Sequence, residues 1–241
     1  MQDLSMVGKK YLAELVGTMI LTFVITATVV SSKAISGGAF GIGGLIAIGL
    51  AAAIALTAVI YSIGHISGAH VNPAVTIAMA IAGKMKTKDV IPYLLAQFIG
   101  GIIASVLLWA VAGPSFGLGE TTAGLFGVKG ALGMEFLATA LFVVVILAVT
   151  AKGSEHAGLS IGLYLGAAQL FGIVFSGASL NPARSLGPAL LVGGQAWSQL
   201  WIYFAGPIIG AIVGLVVYKV FIEEARRQVA PSKPVKMAAK K

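Results

Sequence analysis

Six apolar stretches, each of about the length that a bilayer requires, follow one another along this chain of 241 residues. The hydrocarbon core of a bilayer is about 30 Å thick, which a helix of about 20 apolar residues can cross. Charged residues make up 10% of the sequence, too few to cover the surface of a soluble domain of this size. The chain is therefore predicted to be an all-α membrane protein with spans at residues 11–30, 42–63, 90–112, 131–150, 159–175 and 200–221.

Positive charges fall mainly on one side of these predicted spans. Lysines precede the first span and lie between the second and third, and lysines and arginines follow the last, whereas the other side carries Lys33 and Lys129. Because basic loops tend to stay in the cytoplasm, both termini of this multi-pass protein are predicted to be cytoplasmic, with the spans in the cell membrane. The sequence pI of about 9.8 then reflects contacts with membrane lipids, and no nucleic-acid partner is expected.

The end of the chain and the missing residue types narrow the interpretation further. Residues 223–241 contain prolines and repeated basic residues without apolar periodicity, which predicts a disordered cytoplasmic tail after a folded domain at 1–222. The sequence has no Cys. It also shows no paired carboxylates, no metal-ligand cluster and no nucleophile–base pair, so no enzymatic activity, metal site or cofactor is predicted.

The two halves of the chain repeat the same four sequence blocks in the same order. Residues 9–118 contain AELVGTMILTFVI, IAIGLAAAIAL, ISGAHVNPAVTIA and AQFIGGIIAS. Residues 129–222 contain MEFLATALFVVVI, LSIGLYLGAAQ, FSGASLNPARSLG and YFAGPIIGAIV. Each copy holds three spans, and an odd number of spans makes the second copy enter the membrane from the opposite face. The halves are therefore predicted to be inverted repeats.

Each half also contains a short apolar segment that the six spans leave out. These segments, residues 72–82 and 181–191, both begin with Asn-Pro-Ala, in which Asn is a preferred N-cap and Pro fits the first turn of a helix. A helix of about eleven residues is about 16 Å long, roughly half the thickness of the hydrocarbon core. Two such half-helices entering from opposite faces would meet near the midplane.

The residues before each half-helix, SGAH and SGAS, would form irregular backbone inside the membrane. Such backbone is tolerated where it is buried in protein or lines a wet cavity. Arg184 follows Asn181 by three residues, and a charge within the bilayer is costly and usually faces a pathway for ions or solutes. These features indicate a pore or a binding site at the centre of the membrane.

The paired motifs SGAHVNPAVT and SGASLNPARS, set in an inverted repeat of six spans, resemble the signature of the aquaporin or major intrinsic protein family. The resemblance covers roughly residues 11–221. It implies six transmembrane helices plus two re-entrant half-helices, and a passive channel for water, and for glycerol or other small neutral solutes in some members, that excludes ions and protons. It also implies a homotetramer with one pore in each subunit.

The resemblance assigns individual residues to the pore. The midplane motifs are Asn72, Pro73 and Ala74 in the first half and Asn181, Pro182 and Ala183 in the second, and the selectivity filter falls on Ala52, Gln169, Ala178 and Arg184. The amides of Asn72 and Asn181 would donate hydrogen bonds to a passing water, which could then not relay a proton. Arg184 would repel cations and donate hydrogen bonds to permeating molecules.

The filter departs from the pattern of strict water channels. These channels usually carry an aromatic ring at the position of Ala52 and often His at that of Gln169, so the small residues predict a wider opening. Alternatively, Ala52 packs between helices, and a bulky neighbour such as Phe40 or Phe175 fills the gap.

Other family markers favour the water-channel branch. Ser185 stands where glycerol-conducting relatives typically carry Asp, Ala189 is small where they carry a basic residue, and Tyr203-Phe204 replaces their proline and aliphatic residue. The markers and the filter positions disagree, which leaves open whether glycerol or other small solutes also pass.

Three further polar residues are expected in or beside the pore. Glu14 and Glu135 occupy matching positions in the two halves, where a carboxylate near a helix N-terminus is mildly favourable in itself. The resemblance implies that they accept hydrogen bonds from the backbone of the re-entrant loops. His70, two residues before Asn72, is predicted to line the pore as a neutral polar residue rather than to act as a pH sensor.

Two other functions would use a similar architecture. A glycerol or small-solute facilitator would share the fold and differ in the filter. A secondary transporter also has inverted repeats and broken helices, but it needs a coupling site near the midplane, for which Glu14 and Glu135 are the acidic candidates.

Overall fold

The computed structural model describes residues 2–38, 41–151 and 153–224, and most of these residues are helical. The helices are α1 Gln2–Ile35, α2 Ile42–Ser67, α3 Pro73–Ile81, α4 Thr87–Ala112, α5 Gly127–Thr150, α6 Ala157–Ser176, α7 Pro182–Val192, α8 Gly194–Ser198 and α9 Ile202–Val217. Helix α9 continues as π-helical turns over Tyr218–Glu223.

The prediction of six membrane spans is confirmed. Within the described residues, the segments long and apolar enough to cross a membrane are Gly8–Ile35, Ile42–Ser67, Thr87–Ala112, Gly127–Thr150, Ala157–Ser176 and Gly194–Glu223. Most extend beyond the predicted limits, because backbone hydrogen bonding continues where hydropathy falls. Helical structure reaches Glu224, past the predicted start of the tail at residue 223, and the rest of that tail lies outside the described residues.

The six spans alternate in direction, so their ends lie on two faces. We call the face at which α1 begins the amino-terminal face and the other one the far face. On the amino-terminal face, Lys10 of α1 forms an ion pair of 2.6 Å with Asp89 at the start of α4. On the far face, Lys33 of α1 lies 3.8 Å from Glu120, which follows α4. Helices α1 and α4 therefore run side by side in the same direction.

The two halves pack alike and exchange their half-helices. Helix α1 contacts α2 and α4, and α5 contacts α6 and α9 in the same way. Half-helix α3 of the first half packs against α9, whereas α7 of the second half packs against α4. Gly101 of α4 makes the latter contact close, because a Cβ at this position would overlap the carbonyl oxygen of Ala183. Each half is thus completed by a helix of the other.

One glycine, at the matching position in each half, lies where the first and last spans of that half cross. A Cβ on Gly100 would overlap the carbonyl oxygen of Leu15, and a Cβ on Gly210 would overlap that of Phe136. Small residues at such crossings let helix backbones approach closely in a membrane. The crossings bring Glu14 and Glu135, each one residue before the contacted carbonyl, to the centre of the molecule, where both are fully buried.

Candidate functional site

Each half-helix is capped at its amino-terminal end by the asparagine of an Asn-Pro-Ala motif. Asn72 Oδ1 accepts a hydrogen bond from Ala74 N at 2.9 Å, and Asn181 Oδ1 accepts one from Ala183 N at 3.0 Å. The proline that follows each asparagine occupies the first turn, where its missing N–H leaves no partner unsatisfied. The positive ends of both helix dipoles therefore begin at these asparagines.

The same two asparagines tie the half-helices together. Asn72 Nδ2 donates to the carbonyl oxygen of Leu180 at 2.8 Å, and Asn181 Nδ2 donates to that of Val71 at 2.8 Å. An amide nitrogen has two hydrogens, and both asparagines line one cavity. Each Oδ1 caps its own half-helix, and one N–H of each Nδ2 bonds the loop of the other half; we call this meeting point of the two half-helices the junction. Each asparagine therefore has one N–H left to donate to a molecule in that cavity.

The loops before the half-helices hold a left-handed backbone conformation at matching positions. Ala69 and Val71 have φ angles of 48° and 43°, and Ala178 and Leu180 have φ angles of 49° and 55°. Such conformations cost residues with a Cβ about 1–3 kcal/mol each, and they are rarest for β-branched residues such as Val71. They persist only where surrounding contacts fix them, so other residues must hold these loops.

Two fully buried glutamates supply part of that support. Glu14 accepts hydrogen bonds from the backbone N–H groups of residues 70 and 71, at 2.9 and 2.7 Å. Glu135 accepts them from residues 179 and 180, both at 2.7 Å. These N–H groups have no helix or strand partner, and a carboxylate is a strong acceptor for them. The glutamates make equivalent contacts in the two halves.

Two tyrosines that the sequence did not single out as supports hold the start of each loop. The hydroxyl of Tyr93 donates to the carbonyl oxygen of Ser67 at 2.8 Å, and that of Tyr203 donates to the carbonyl oxygen of Ser176 at 2.8 Å. Their matched positions in the last span of each half are the signal that could have identified them. The loops are therefore fixed at both ends by side chains of the spanning helices.

Three cavities follow one another through the centre of the molecule. An outer cavity of about 430 Å³ opens on the far face, a middle cavity of about 20 Å³ lies at the two asparagines, and an inner cavity of about 80 Å³ opens towards the amino-terminal face. Arg184 lines both the outer and the middle cavities, and Leu56, His70 and Phe142 line both the middle and the inner ones. Neighbouring cavities share lining residues, so the three lie in sequence from one face to the other, and we call this series the path. Its smallest cavity has room for about one water molecule.

The middle cavity combines an apolar wall with a few hydrogen-bonding groups. Its apolar lining residues are Leu21, Ile25, Leu56, Val71, Phe142 and Leu165, and its polar ones are His70, Asn72, Ser179, Asn181 and Arg184. Apolar side chains offer water no hydrogen bond, so a molecule in this cavity is oriented by the polar groups alone.

Arg184 lies where the outer and middle cavities meet and is 2% exposed. Its Nη1 donates to the carbonyl oxygen of Gly119 at 2.7 Å, in the far-face loop between α4 and α5. Its Nε is buried and has no hydrogen-bond partner among the described residues. The guanidinium has five N–H donors in all, and the residue lines both the outer and the middle cavities. Arg184 therefore offers a donor to molecules in the path.

The other three predicted filter residues are buried in the wall. Gln169 Nε2 donates to the carbonyl oxygen of Ala178 at 2.7 Å, so these two residues are in contact. Ala52 is fully buried in the main hydrophobic core. The side chains that line the outer cavity close to these positions are Ile48, one turn before Ala52, and Ile173, one turn after Gln169. The sequence did not point to either isoleucine, because both are ordinary members of apolar spans.

Phe40 and Phe175 were the two candidates for filling the gap beside Ala52, and the structure describes the second of them. The ring of Phe175 stacks on that of Phe126, with centroids 4.2 Å apart and an angle of 15° between the planes. Phe126 is 58% exposed, so Phe175 is engaged with a ring at the molecular surface. Phe40 lies outside the described residues.

His70 lines the path and joins a buried polar chain. Its Nδ1 lies 3.2 Å from Thr76 Oγ1. Gln97 Nε2 donates to Thr76 Oγ1 at 2.8 Å and to Glu14 Oε2 at 2.7 Å. Thr76 and Gln97 were not anticipated from the sequence, because a single polar residue in an apolar helix does not indicate which distant residue it contacts.

Known proteins share both the sequence and the architecture. The family described as Major intrinsic protein matches residues 2–218 of this chain. A protein named Aquaporin Z from Rhodopseudomonas palustris is 39% identical over 230 residues, covering 89% of this chain and 94% of that protein. Glycerol uptake facilitator protein-like 6 from Lactiplantibacillus plantarum is 42% identical over 223 residues, covering 90% of this chain and 99% of that protein.

A solved structure has the same fold at lower sequence identity. The X-ray structure of the aquaglyceroporin from Plasmodium falciparum superposes with a TM-score of 0.82, covering 92% of this chain and 99% of that one, at 21% identity. At this identity the likeness concerns the arrangement of helices.

Proposed function

Because this chain belongs to the major intrinsic protein family, we propose that it is a passive channel for water and small neutral solutes, whose pore is the path past Arg184 and the paired asparagines. The observation that carries this proposal is the middle cavity of about 20 Å³ between Asn72 and Asn181. A space of that size holds water one molecule at a time. Solutes would move down their gradients, since the family is a class of channels rather than of enzymes.

Exclusion of protons and ions follows from the groups at the junction. Asn72 and Asn181 present N–H donors there, because their oxygens are turned to the half-helices as caps. A water that accepts from both cannot also receive a proton along a hydrogen-bonded chain at that point. A cation would meet two positive helix ends and Arg184, and it would lose its hydration in a narrow space whose wall is largely apolar, which is far more costly than for a neutral molecule.

The outer and the middle cavities differ in how much room they leave for glycerol. The small side chains at Ala52 and Ala178 and the large outer cavity favour entry of glycerol-sized molecules, and one relative carries the name of a glycerol uptake facilitator. The middle cavity, by contrast, has little more room than a water molecule needs. We therefore infer that water is the main permeant and that glycerol passes more slowly. A dedicated glycerol facilitator is the second candidate.

We further propose the assembly and orientation that the family and the charges support. The amino-terminal face, which carries Lys10, Lys84 and Lys219, would be cytoplasmic in the cell membrane. Residues 1–222 would form the channel domain, with inverted repeats at about 9–118 and 129–222, and residues 223–241 a basic tail. The channel would be a homotetramer embedded in membrane lipids, with a pore in each subunit and no catalytic role.

Stopped-flow light scattering of proteoliposomes tests this function. Vesicles containing the protein should shrink faster than empty vesicles of the same lipid under an osmotic gradient of an impermeant solute, and a glycerol gradient should show slower re-swelling. Water permeability equal to that of empty vesicles would overturn the channel proposal. A saturable glycerol flux that depends on an ion gradient would indicate a secondary transporter instead.

A further inference from the structure

Three buried hydroxyl groups connect the far-face loop to the loop that enters α7. Ser185 Oγ donates to Ser179 Oγ at 2.6 Å, and Ser179 Oγ donates to the carbonyl oxygen of Asn181 at 2.8 Å. Thr121 Oγ1 lies 2.7 Å from Ser185 Oγ. A hydroxyl has one hydrogen, and that of Ser185 is already used, so Thr121 is the donor in this pair. None of the three side chains is more than 3% exposed, so the bulk solvent outside the molecule does not compete for these bonds.

The first half of the chain contains an equivalent arrangement. His70 lies two residues before its asparagine and contacts Thr76, four residues after it, just as Ser179 and Ser185 are placed around Asn181. In both halves the residue in the half-helix links the pore loop to a third side chain. That third side chain is Gln97 of a spanning helix in the first half and Thr121 of a loop in the second. Because the arrangement recurs, we interpret these linked side chains as a structural support of the pore loops rather than as incidental contacts.

In the second half, the linked hydroxyl groups of Thr121, Ser185 and Ser179 lie beside Arg184. Arg184 precedes Ser185 in α7, and its Nη1 donates to the carbonyl oxygen of Gly119, two residues before Thr121. The short segment 119–121 therefore contacts α7 twice, once through a backbone carbonyl and once through a threonine hydroxyl. A Cβ at Gly119 would approach the backbone of Thr26 to 2.8 Å, so the segment is also pressed against α1.

We propose that Thr121 is a positioning residue of the selectivity filter, whose hydrogen bond to Ser185 fixes segment 119–121 against α7 and so holds the Arg184 guanidinium at the entrance of the middle cavity. The inference rests on the proposed function, because it concerns which solutes pass through that same pore. Without the threonine hydroxyl, segment 119–121 keeps only the contact between the Gly119 carbonyl and Arg184 itself. The carbonyl that receives the guanidinium is then less firmly fixed to α7, and the guanidinium is held less well. Discrimination between water and glycerol then weakens, while water still passes.

The ion pair of this segment is a weaker candidate for the same role. Glu120 pairs with Lys33 at 3.8 Å, and the two side chains are 18% and 21% exposed. Ion pairs that reach solvent contribute little and are screened by salt. The buried hydroxyl contact is therefore the one expected to fix the segment.

The test compares water and glycerol permeability of four variants in proteoliposomes: Thr121→Val, Thr121→Ser, Ser185→Ala and Thr28→Val. Thr121→Val removes the hydroxyl at nearly constant volume, and Thr121→Ser keeps it. Thr28→Val is the matched control, because the Thr28 hydroxyl donates to Val24 O within α1. We expect Thr121→Val and Ser185→Ala to raise the ratio of glycerol to water permeability by about three- to tenfold, the range for losing one buried hydrogen bond. Thr121→Ser and Thr28→Val should keep the wild-type ratio.

Three outcomes would overturn the inference. The ratio could stay unchanged in Thr121→Val and Ser185→Ala, Thr121→Ser could fail to restore it, or water and glycerol permeability could fall in equal proportion, as they would for a merely structural residue. Ser185→Ala provides the result on its own if Thr121→Val does not give a single gel-filtration peak in detergent. Failure of the proposed function is distinguishable, because the wild-type protein would then not raise water permeability at all.

Discussion

Asn72 and Leu180 are joined at the centre of the molecule by a hydrogen bond of 2.8 Å from the side-chain amide of one to the backbone carbonyl of the other, although 108 positions separate them in the chain. The equivalent bond runs from Asn181 to Val71. Each asparagine therefore caps its own half-helix and holds the loop of the other. A change at either position is expected to affect both halves.

The substitution Asn72→Asp tests this junction. It places a carboxylate oxygen against the Leu180 carbonyl, and two buried acceptors facing each other cost about 1–3 kcal/mol or more when one is charged. We expect a lower melting temperature of the detergent-solubilised protein and a severalfold lower water permeability. The exposed Gln195→Glu variant makes the same chemical change outside the path and should resemble the wild type. A wild-type melting temperature for Asn72→Asp would show that the junction does not depend on this bond.

Glu135→Gln is expected to destabilise the loop before α7. One carboxylate oxygen becomes an NH₂ group that faces a backbone N–H, either of Ser179 or of Leu180, and this leaves buried donors unpaired at about 1–3 kcal/mol. The melting temperature and the water permeability should both fall. Glu155→Gln, on an exposed loop residue, is the matched control. Equal melting curves for the two variants would contradict the supporting role of Glu135.

Gly101→Ala should disturb the contact between α4 and α7. The added Cβ would overlap the carbonyl oxygen of Ala183, and overpacking of this kind typically costs about 1–3 kcal/mol. A Cβ at Gly133 would meet open space, so Gly133→Ala should leave the melting temperature unchanged or raise it. The two variants can be compared by thermal unfolding in the same detergent. If both were equally stable, the close approach at Gly101 would not be needed.

Ala52→Phe tests the width of the outer part of the path. Ala52 lies one turn from Ile48, which lines the outer cavity, and a ring there should obstruct glycerol more than the smaller water molecule. We expect glycerol permeability to fall more than water permeability in proteoliposomes. Ala58→Phe adds the same ring at an exposed position of α2 and should change neither. Equal reduction of both permeabilities by Ala52→Phe would contradict a wide filter.

The absence of cysteine predicts resistance to mercurials that act through thiols. Ser179 lines the middle cavity, so Ser179→Cys should make water permeability sensitive to mercuric chloride, with reversal by a thiol reagent. Ser198→Cys, exposed at the end of α8, is the control and should stay insensitive. Inhibition of the wild-type protein, or of both cysteine variants alike, would show that blockade occurs outside the path.

The spans, the half-helices and the paired loops could be derived from the sequence because their signals are local or repeated. Hydropathy identified the six spans, and Asn-Pro-Ala marked where α3 and α7 begin. The internal repeat places Glu14 and Glu135 at equivalent positions of the two halves. These features depend on helix capping, on the length of apolar segments and on the odd number of spans in each half. All three can be recognised from short stretches of consecutive residues.

The contacts between distant side chains were decided by the tertiary structure. The close contact of α6 with α2, where a Cβ at Gly166 would overlap the carbonyl oxygen of Gly49, sets how α2 sits along its axis. That placement decides that Ile48 lines the outer cavity and that Ala52, one turn further along the same helix face, does not. Tyr93 and Ser67 likewise lie 26 positions apart in the chain and meet only in the folded molecule. The sequence by itself determined that the chain has a central membrane path with an arginine beside it. Only the folded arrangement determined which side chains line that path and which hold the arginine in place, because those contacts depend on the packing of residues far apart in the chain.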